Sequence, residues 1–249
     1  MNYYFTEIST HLDKGFGVTA EAFKQAADAL ATSEFQHSVI PQSRVPIHYL
    51  YRHAIELYLK SMIIIFHAKL GVPKRGKQND YVNIYLPRSV RQRGQKNAYA
   101  SINKTHSIRI LFSYWKNIMI SYRSRLNELA PEGDWRINPE MFADVRLISS
   151  YDDAGDYFRY PVSNFPSDVE SEKYSMKRIV MEDLIARLKA DPNKQKQKVF
   201  LVLNENDEVV DAFHHDVQYL NDVEQSLREL SESLSAYHVM TRCTLCGGY

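Results

Sequence analysis

Cysteine is nearly absent, with only Cys243 and Cys246 near the end of a 249-residue chain. No disulfide framework can therefore hold the fold, and apolar packing has to do so. Long hydrophobic runs are also missing: nothing approaches the roughly 20 apolar residues that span a bilayer. The N-terminal MNYYFTEISTHLDKG has neither a basic start nor an apolar signal core. A soluble, cytoplasmic protein with no membrane partner is expected. Phosphate-binding loops are lacking too. Gly15-Phe-Gly17 follows Lys14, but neither a GxxxxGK[ST] run nor a strand, GxGxxG and helix in succession occurs, and no GxSxG, HExxH or kinase-like set appears. Cys243-Thr-Leu-Cys246 supplies half of a zinc site at most, with His214, His215 or His238 as candidates for the rest. It reads as a tail with two thiols, so neither a metal nor a cofactor is expected. There is no internal repeat. With 44% hydrophobic content, the chain can bury one large core, and a single domain over 1–240 followed by a tail over 241–249 is expected.

The segment from Pro46 to Lys69 carries the strongest pattern. At roughly 100° per residue, His48, Arg52, His53, Glu56, Lys60 and His67 fall within an arc of about 140° on a helix. Leu50, Ala54, Ile55, Leu57, Tyr58, Met62 and Ile65 occupy the other side. Imidazole, guanidinium, carboxylate and ammonium groups on one face suit acid–base chemistry or phosphate binding. The same pattern also describes the solvated face of an ordinary amphipathic helix.

Charge is unevenly distributed although the net value is only +1. Between Gly71 and Lys104, eight basic residues (Lys74, Arg75, Lys77, Arg88, Arg91, Arg93, Lys96 and Lys104) stand against Asp80 alone, a local +7 that leaves −6 on the rest of the chain. Gly71, Pro73, Gly76, Pro87 and Gly94 break any helical period there, and only Tyr81–Leu86 reads as a strand. This is a long basic insertion. With Tyr81, Tyr85 and Tyr99 among the cations it suits single-stranded nucleic acid, phosphates on the basic groups and bases on the rings; a flexible solvated loop is the other reading.

Elsewhere the periodicity predicts helices over Ala20–Phe35, from an N-cap at Thr105 through His106 to Leu126, from Asn138-Pro139 to Tyr151, over Val169–Lys189, and over Asp216–Val239. Lys198 to Phe213 alternates as a β-hairpin with its turn at Asn204–Asp207. A lone hairpin is marginal in water, so it has to pack on helices.

Three short runs follow one another: Arg52-His-Ala-Ile-Glu-Leu-Tyr-Leu-Lys60, Thr105-His-Ser-Ile-Arg-Ile-Leu111 and Tyr157-Phe-Arg-Tyr-Pro161. In this order they resemble the HEPN-like proteins of prokaryotic abortive-infection and other conflict systems, over roughly residues 40 to 165. The resemblance implies a mainly α fold, a HEPN-like helical bundle with the basic insertion and a small β-hairpin near the C-terminal helix. It also implies a homodimer and a metal-independent endoribonuclease or RNA-binding component of a toxin or antiviral defence system.

One departure matters. HEPN ribonucleases carry an arginine followed by four to six residues and a histidine, and this spacing does not occur here: Arg44 and His48 have only Val45, Pro46 and Ile47 between them, and Arg52 adjoins His53. Cleavage would need a composite site, with Arg52 or Arg159 steadying the scissile phosphate and His53 or His106 as base or acid for attack by a 2′-hydroxyl. Glu56 would orient an imidazole from a neighbouring turn. Lys60, Lys74, Arg75, Lys77, Arg88, Arg91 and Arg93 are the candidate nucleic-acid contacts. The alternative is a non-catalytic module whose basic loop docks on nucleic acid or on an acidic partner protein, with the Arg52–Glu56 groups serving as a buried polar network.

Overall fold

Helix α2, Val45–Lys69, runs through the middle of the protein, and its charged residues Arg52, Glu56 and Lys60 are as buried as its apolar ones. The computed structural model describes residues 2–32, 42–74, 82–86, 98–160, 166–190, 199–216 and 220–248. Within these, α1 (Phe16–Thr32) and α8 (Asn221–Leu245) pack along α2, α3 (Ile108–Ser121) packs on it from a further side, and α5 (Glu140–Asp152) lies against α3 and α8. A short α4 (Arg123–Leu129) follows α3. The protein is mainly helical, with small antiparallel sheets. Among the described residues no helix is long and apolar enough to cross a membrane.

Enclosure explains why α2 has no solvated face. Ile47, Tyr51, Ile55, Tyr58, Met62 and Phe66 meet Leu111, Trp115, Met119, Leu227, Leu230 and Leu234 in one continuous core. Each such side chain contributes about 1.5–3 kcal/mol by leaving water. The reading of the polar arc as a solvated surface is therefore corrected: His48, Arg52, Glu56, Lys60 and His67 are buried, and His53 is partly so.

Local chemistry fixes the helix ends. Asp13 accepts from the Gly17 backbone N–H at 2.8 Å, which starts α1 ahead of the expected Ala20. Ser107, not Thr105, caps α3 by accepting from Ile110 N at 3.2 Å, while Thr105 donates to the Ser101 carbonyl. Asn138 accepts from Glu140 N at 3.0 Å at the start of α5. Helix α8 runs to Leu245 with Thr241 and Arg242 buried, so Cys243 lies on its last turn and not in a tail. Arg242 is held by an ion pair to the buried Asp13.

Inside the basic insertion, β1 (Asn83–Tyr85) and β2 (Tyr99–Ser101) form an antiparallel pair, and Val82, Ile84 and Leu86 alternate inward into the core. The expected helix over Val169–Lys189 is corrected to a short α6 (Ser167–Ser171), strand β3 (Met176–Arg178) and α7 (Met181–Ala190). The interruption comes from pairing: Met176 to Arg178 join β5 (Val209–His215), which also pairs with β4 (Val199–Leu203) in the order β3-β5-β4. The hairpin thus gains a third strand, which a two-stranded ribbon needs for stability.

Candidate functional site

The polar residues of α2 divide among three neighbours. His48 turns towards α8, where its Nε2 lies 2.8 Å from Glu224 Oε2, and Arg44 grips the same carboxylate through Nε at 2.9 Å and an Nη at 2.5 Å. Burial alone would raise Glu224, but His48 and Arg44 overrule it and bring its carboxyl to about 2. His67 meets α3 and the chain after α2: Nε2 lies 3.0 Å from the Tyr114 hydroxyl and Nδ1 3.2 Å from the Val72 carbonyl. Burial lowers His67 to about 4.

The middle group is the densest. Glu56 Oε2 accepts from Arg52 Nη1 at 2.7 Å, while Oε1 accepts from Lys60 Nζ at 2.7 Å and lies 3.0 Å from His106 Nδ1. Spacing of four residues puts Arg52, Glu56 and Lys60 one above another on α2. The cap at Ser107 fixes the start of α3 and so the place of His106. Burial pushes the Glu56 carboxyl up, and the charges and hydrogen bonds of Lys60 and Arg52 outweigh it, leaving Glu56 at about 2. Arg52 is spent entirely on protein partners. Beyond Glu56, its Nη2 donates to the His106 carbonyl at 2.5 Å, and its Nε lies 2.8 Å from Asp152 Oδ2 without aiming its N–H along that contact. Asp152 in turn accepts from Tyr157 N at 3.0 Å. Gly155 closes over the guanidinium at φ +90, where a Cβ would sit 2.9 Å from Arg52 Nη2; no other residue fits this approach without strain.

These placements sort the expected site residues. Arg52 and Glu56 are 1% exposed and Lys60 is 3% exposed, so none of the three can touch a bound phosphate directly, and the assignment of Lys60 as a nucleic-acid contact is corrected. His106 is 42% exposed along its side chain, and Nδ1 is the ring nitrogen turned to the buried Glu56. His53 is half-buried, stacked on Tyr49 with centroids 5.7 Å apart and met edge-on by Phe23 at 4.5 Å. Burial lowers its pKa, Glu56 opposes this, and the charges of Arg52, Lys60 and Arg159 add to the lowering, so the ring is held neutral at pH 7. Arg159 is exposed and close enough for its charge to act on His53. Its loop is tied down by the buried Lys173, whose Nζ donates to the Tyr160 carbonyl at 3.1 Å and lies 4.2 Å from the Tyr157 ring centre. Lys74 is exposed, and Arg75, Lys77, Arg88, Arg91, Arg93 and Pro161 lie outside the described residues.

Sequence reasoning missed Asp152, Asp153, Gly155 and Lys173. A signal for the first two existed. Acids at a helix C-terminus oppose the helix dipole, so two adjacent ones at the end of α5 imply cationic partners from elsewhere. Asp152 has Arg52; Asp153 accepts from Ser107 Oγ at 2.8 Å and pairs with Arg109 at 2.6 Å.

Chemically, a carboxylate that stays ionised behind Nδ1 fixes one tautomer of His106, with the proton on Nδ1 and the Nε2 lone pair directed away from Glu56. That is the arrangement of a general base whose orienting group is buried. The chain matches no family model, no curated protein and no solved structure. Among the described residues no three His, Cys, Asp or Glu side chains cluster as metal ligands do.

Proposed function

We propose that this chain is an RNA-directed, HEPN-like helical-bundle protein of a prokaryotic defence or toxin system, acting in the cytoplasm as a metal-independent endoribonuclease. The observation that supports it best is the 3.0 Å contact of His106 Nδ1 with a Glu56 carboxylate clamped by Arg52 and Lys60. The His106 ring is 42% exposed, and Arg159 carries an exposed positive charge that acts on His53, on the same helix as Glu56.

In this reading His106 Nε2 takes the proton of an RNA 2′-hydroxyl. The 2′-oxygen then forms a bond to the adjacent phosphorus, the bond from phosphorus to the 5′-oxygen breaks, and the imidazolium returns its proton to the departing 5′-oxygen. The products are a 2′,3′-cyclic phosphate and a 5′-hydroxyl. Arg159 steadies the phosphate oxygens as charge builds on them. Arg52, Glu56 and Lys60 are positioning residues, because they reach the reaction only through His106. His53, held neutral and packed against Phe23 and Tyr49, is a wall of the site and not its acid. Lys74 and the basic insertion supply non-specific attraction to the phosphate backbone, which weakens steeply with salt.

The test is cleavage of single-stranded RNA by the pure protein in the presence of EDTA. Turnover that falls at least a hundredfold in His106→Ala and Arg159→Ala, with less than threefold loss in Lys74→Ala, supports the reading. Intact RNA after long incubation across pH 5 to 9, with binding retained, instead gives the non-catalytic nucleic-acid-binding module.

A further inference from the structure

Helix α3 borders a cavity that the cleavage mechanism does not use. Ile110, Tyr114, Asn117 and Ser121, three or four residues apart, form one stripe of the helix, and with Tyr122 and with Tyr85 of β1 they line a cavity of about 200 Å³. Tyr85 is 46% exposed. Tyr99 on the paired strand meets its ring edge-on, with centroids 5.6 Å apart, and sets its plane. Aromatic walls thus come from two separate elements.

Hydrogen bonding behind the cavity gives it a polarity. His67 Nδ1 lies 3.2 Å from the Val72 carbonyl, which can only accept, so Nδ1 carries the proton. The ring is buried and neutral at pH 7, so Nε2, 3.0 Å from the Tyr114 hydroxyl, accepts and Tyr114 donates. With its proton turned to His67, the Tyr114 oxygen meets an occupant of the cavity as an acceptor alone. Asn117, one turn further on and exposed, carries an amide that both donates and accepts. Lys74 is exposed and close enough for its charge to act on His67.

From this we infer that the cavity is a nucleobase subsite for single-stranded RNA, in which a base stacks on tyrosine and its exocyclic amino group donates to Tyr114 Oη. Tyrosine faces recognise a flat ring, and an acceptor beside an amide recognises an amino group next to a ring nitrogen, the pair that adenine presents at N6 and N7. The Lys74 charge suits a ligand that carries phosphate. The cavity also lies within a strand's reach of the proposed cleavage point: it begins at Ile110, four residues after His106, and follows α3 for about 17 Å to Ser121 at 1.5 Å per residue. The inference rests on the RNA reading for its ligand and adds to it a preference for amino-bearing bases, adenine first.

Fluorescence anisotropy with the full chain in EDTA tests it, using fluorescein-labelled 2′-deoxy hexamers that offer no 2′-hydroxyl for cleavage. A hexamer of deoxyadenosine should bind at least fivefold more tightly than one built from the purine deoxynucleoside that lacks the 6-amino group. Tyr114→Phe should bring the two within twofold, a ratio that loss of folded protein does not move. Tyr85→Ala, with unchanged far-UV circular dichroism, should weaken both at least fivefold through lost stacking. Free 5′-AMP should bind at least tenfold more weakly than the deoxyadenosine hexamer. A wild-type ratio below fivefold, a ratio above twofold in Tyr114→Phe, a Tyr85→Ala loss below fivefold, 5′-AMP binding as tight as that of the hexamer, or no binding of either hexamer through about 100 μM overturns the inference. RNA cleavage that depends on His106, in a protein without the adenine preference, removes this subsite alone and leaves the RNA reading standing.

Discussion

Replacing Glu56 with Gln keeps the shape of the side chain but removes the charge that three groups share. A carboxyl held at about 2 in the fold, against its ordinary 4.5, corresponds to about 3 kcal/mol of stability at neutral pH. The sign follows from the direction of the shift. The folded state holds the ionised form more strongly than the unfolded chain does, so the contribution is complete above pH 4.5 and is lost as pH falls through about 2. The substitution also strands the Lys60 ammonium, 3% exposed and without its carboxylate, while Arg52 retains Asp152. Breaking a buried pair from one side costs about 3–5 kcal/mol, which agrees with the first figure. Urea denaturation followed by circular dichroism at pH 7 should therefore show Glu56→Gln destabilised by about 3–5 kcal/mol. The gap to wild type should narrow as pH is lowered from 4.5 towards 2. Adding Lys60→Met should recover at least about 1 kcal/mol, because it removes the stranded charge. A loss below about 1 kcal/mol at pH 7, or a double variant less stable than the single, would refute the clamp.

Other outcomes follow from single residues. Gly155→Ala places a Cβ 2.9 Å from Arg52 Nη2 at φ +90 and should cost about 1–3 kcal/mol in the same urea assay. Leu234→Ala, fully buried between α8 and α2, should cost about 2–5 kcal/mol. His67 and His238 are both lowered to about 4, chiefly by burial, so each has to be charged against the fold in acid. Their contribution of about 3 kcal/mol each is intact above pH 6.5 and is lost as pH falls towards 4, a higher window than that of Glu56. Replacing either with Gln should flatten the stability profile between pH 6.5 and 4.

The position of α2 was legible almost to the residue, because a 25-residue period with Pro46 at its start and basic residues in its last turn leaves little choice. What covers it was not. A stripe of His, Arg, Glu and Lys looks the same whether water or a neighbouring helix neutralises it, and the partners that decide the matter, Asp152, His106 and Glu224, are between 50 and 176 residues away in sequence from the group each meets. The hairpin at 198–213 was legible from alternation, whereas β3 was hidden. Met176 to Arg178 form a strand only because β5 is there to pair with, and their own residues suit a helix equally well. The basic insertion was read by its charge, which hid the inward alternation of Val82, Ile84 and Leu86. Among the site residues, those on α2 were found by spacing; Gly155 and Lys173, which matter through approach and burial, carry no mark in a single sequence.

Long-range nitrogen–proton NMR of His106 tests the central claim most directly, because it reports which ring nitrogen bears the proton. The account requires Nδ1 protonated and Nε2 unprotonated in the neutral ring, a preference lost in Glu56→Gln, and an Nε2 signal that shifts when a single-stranded RNA with a 2′-deoxy substitution at the cleavage position is added. A neutral His106 protonated on Nε2, or an Nε2 signal indifferent to RNA at saturating concentration, would contradict it.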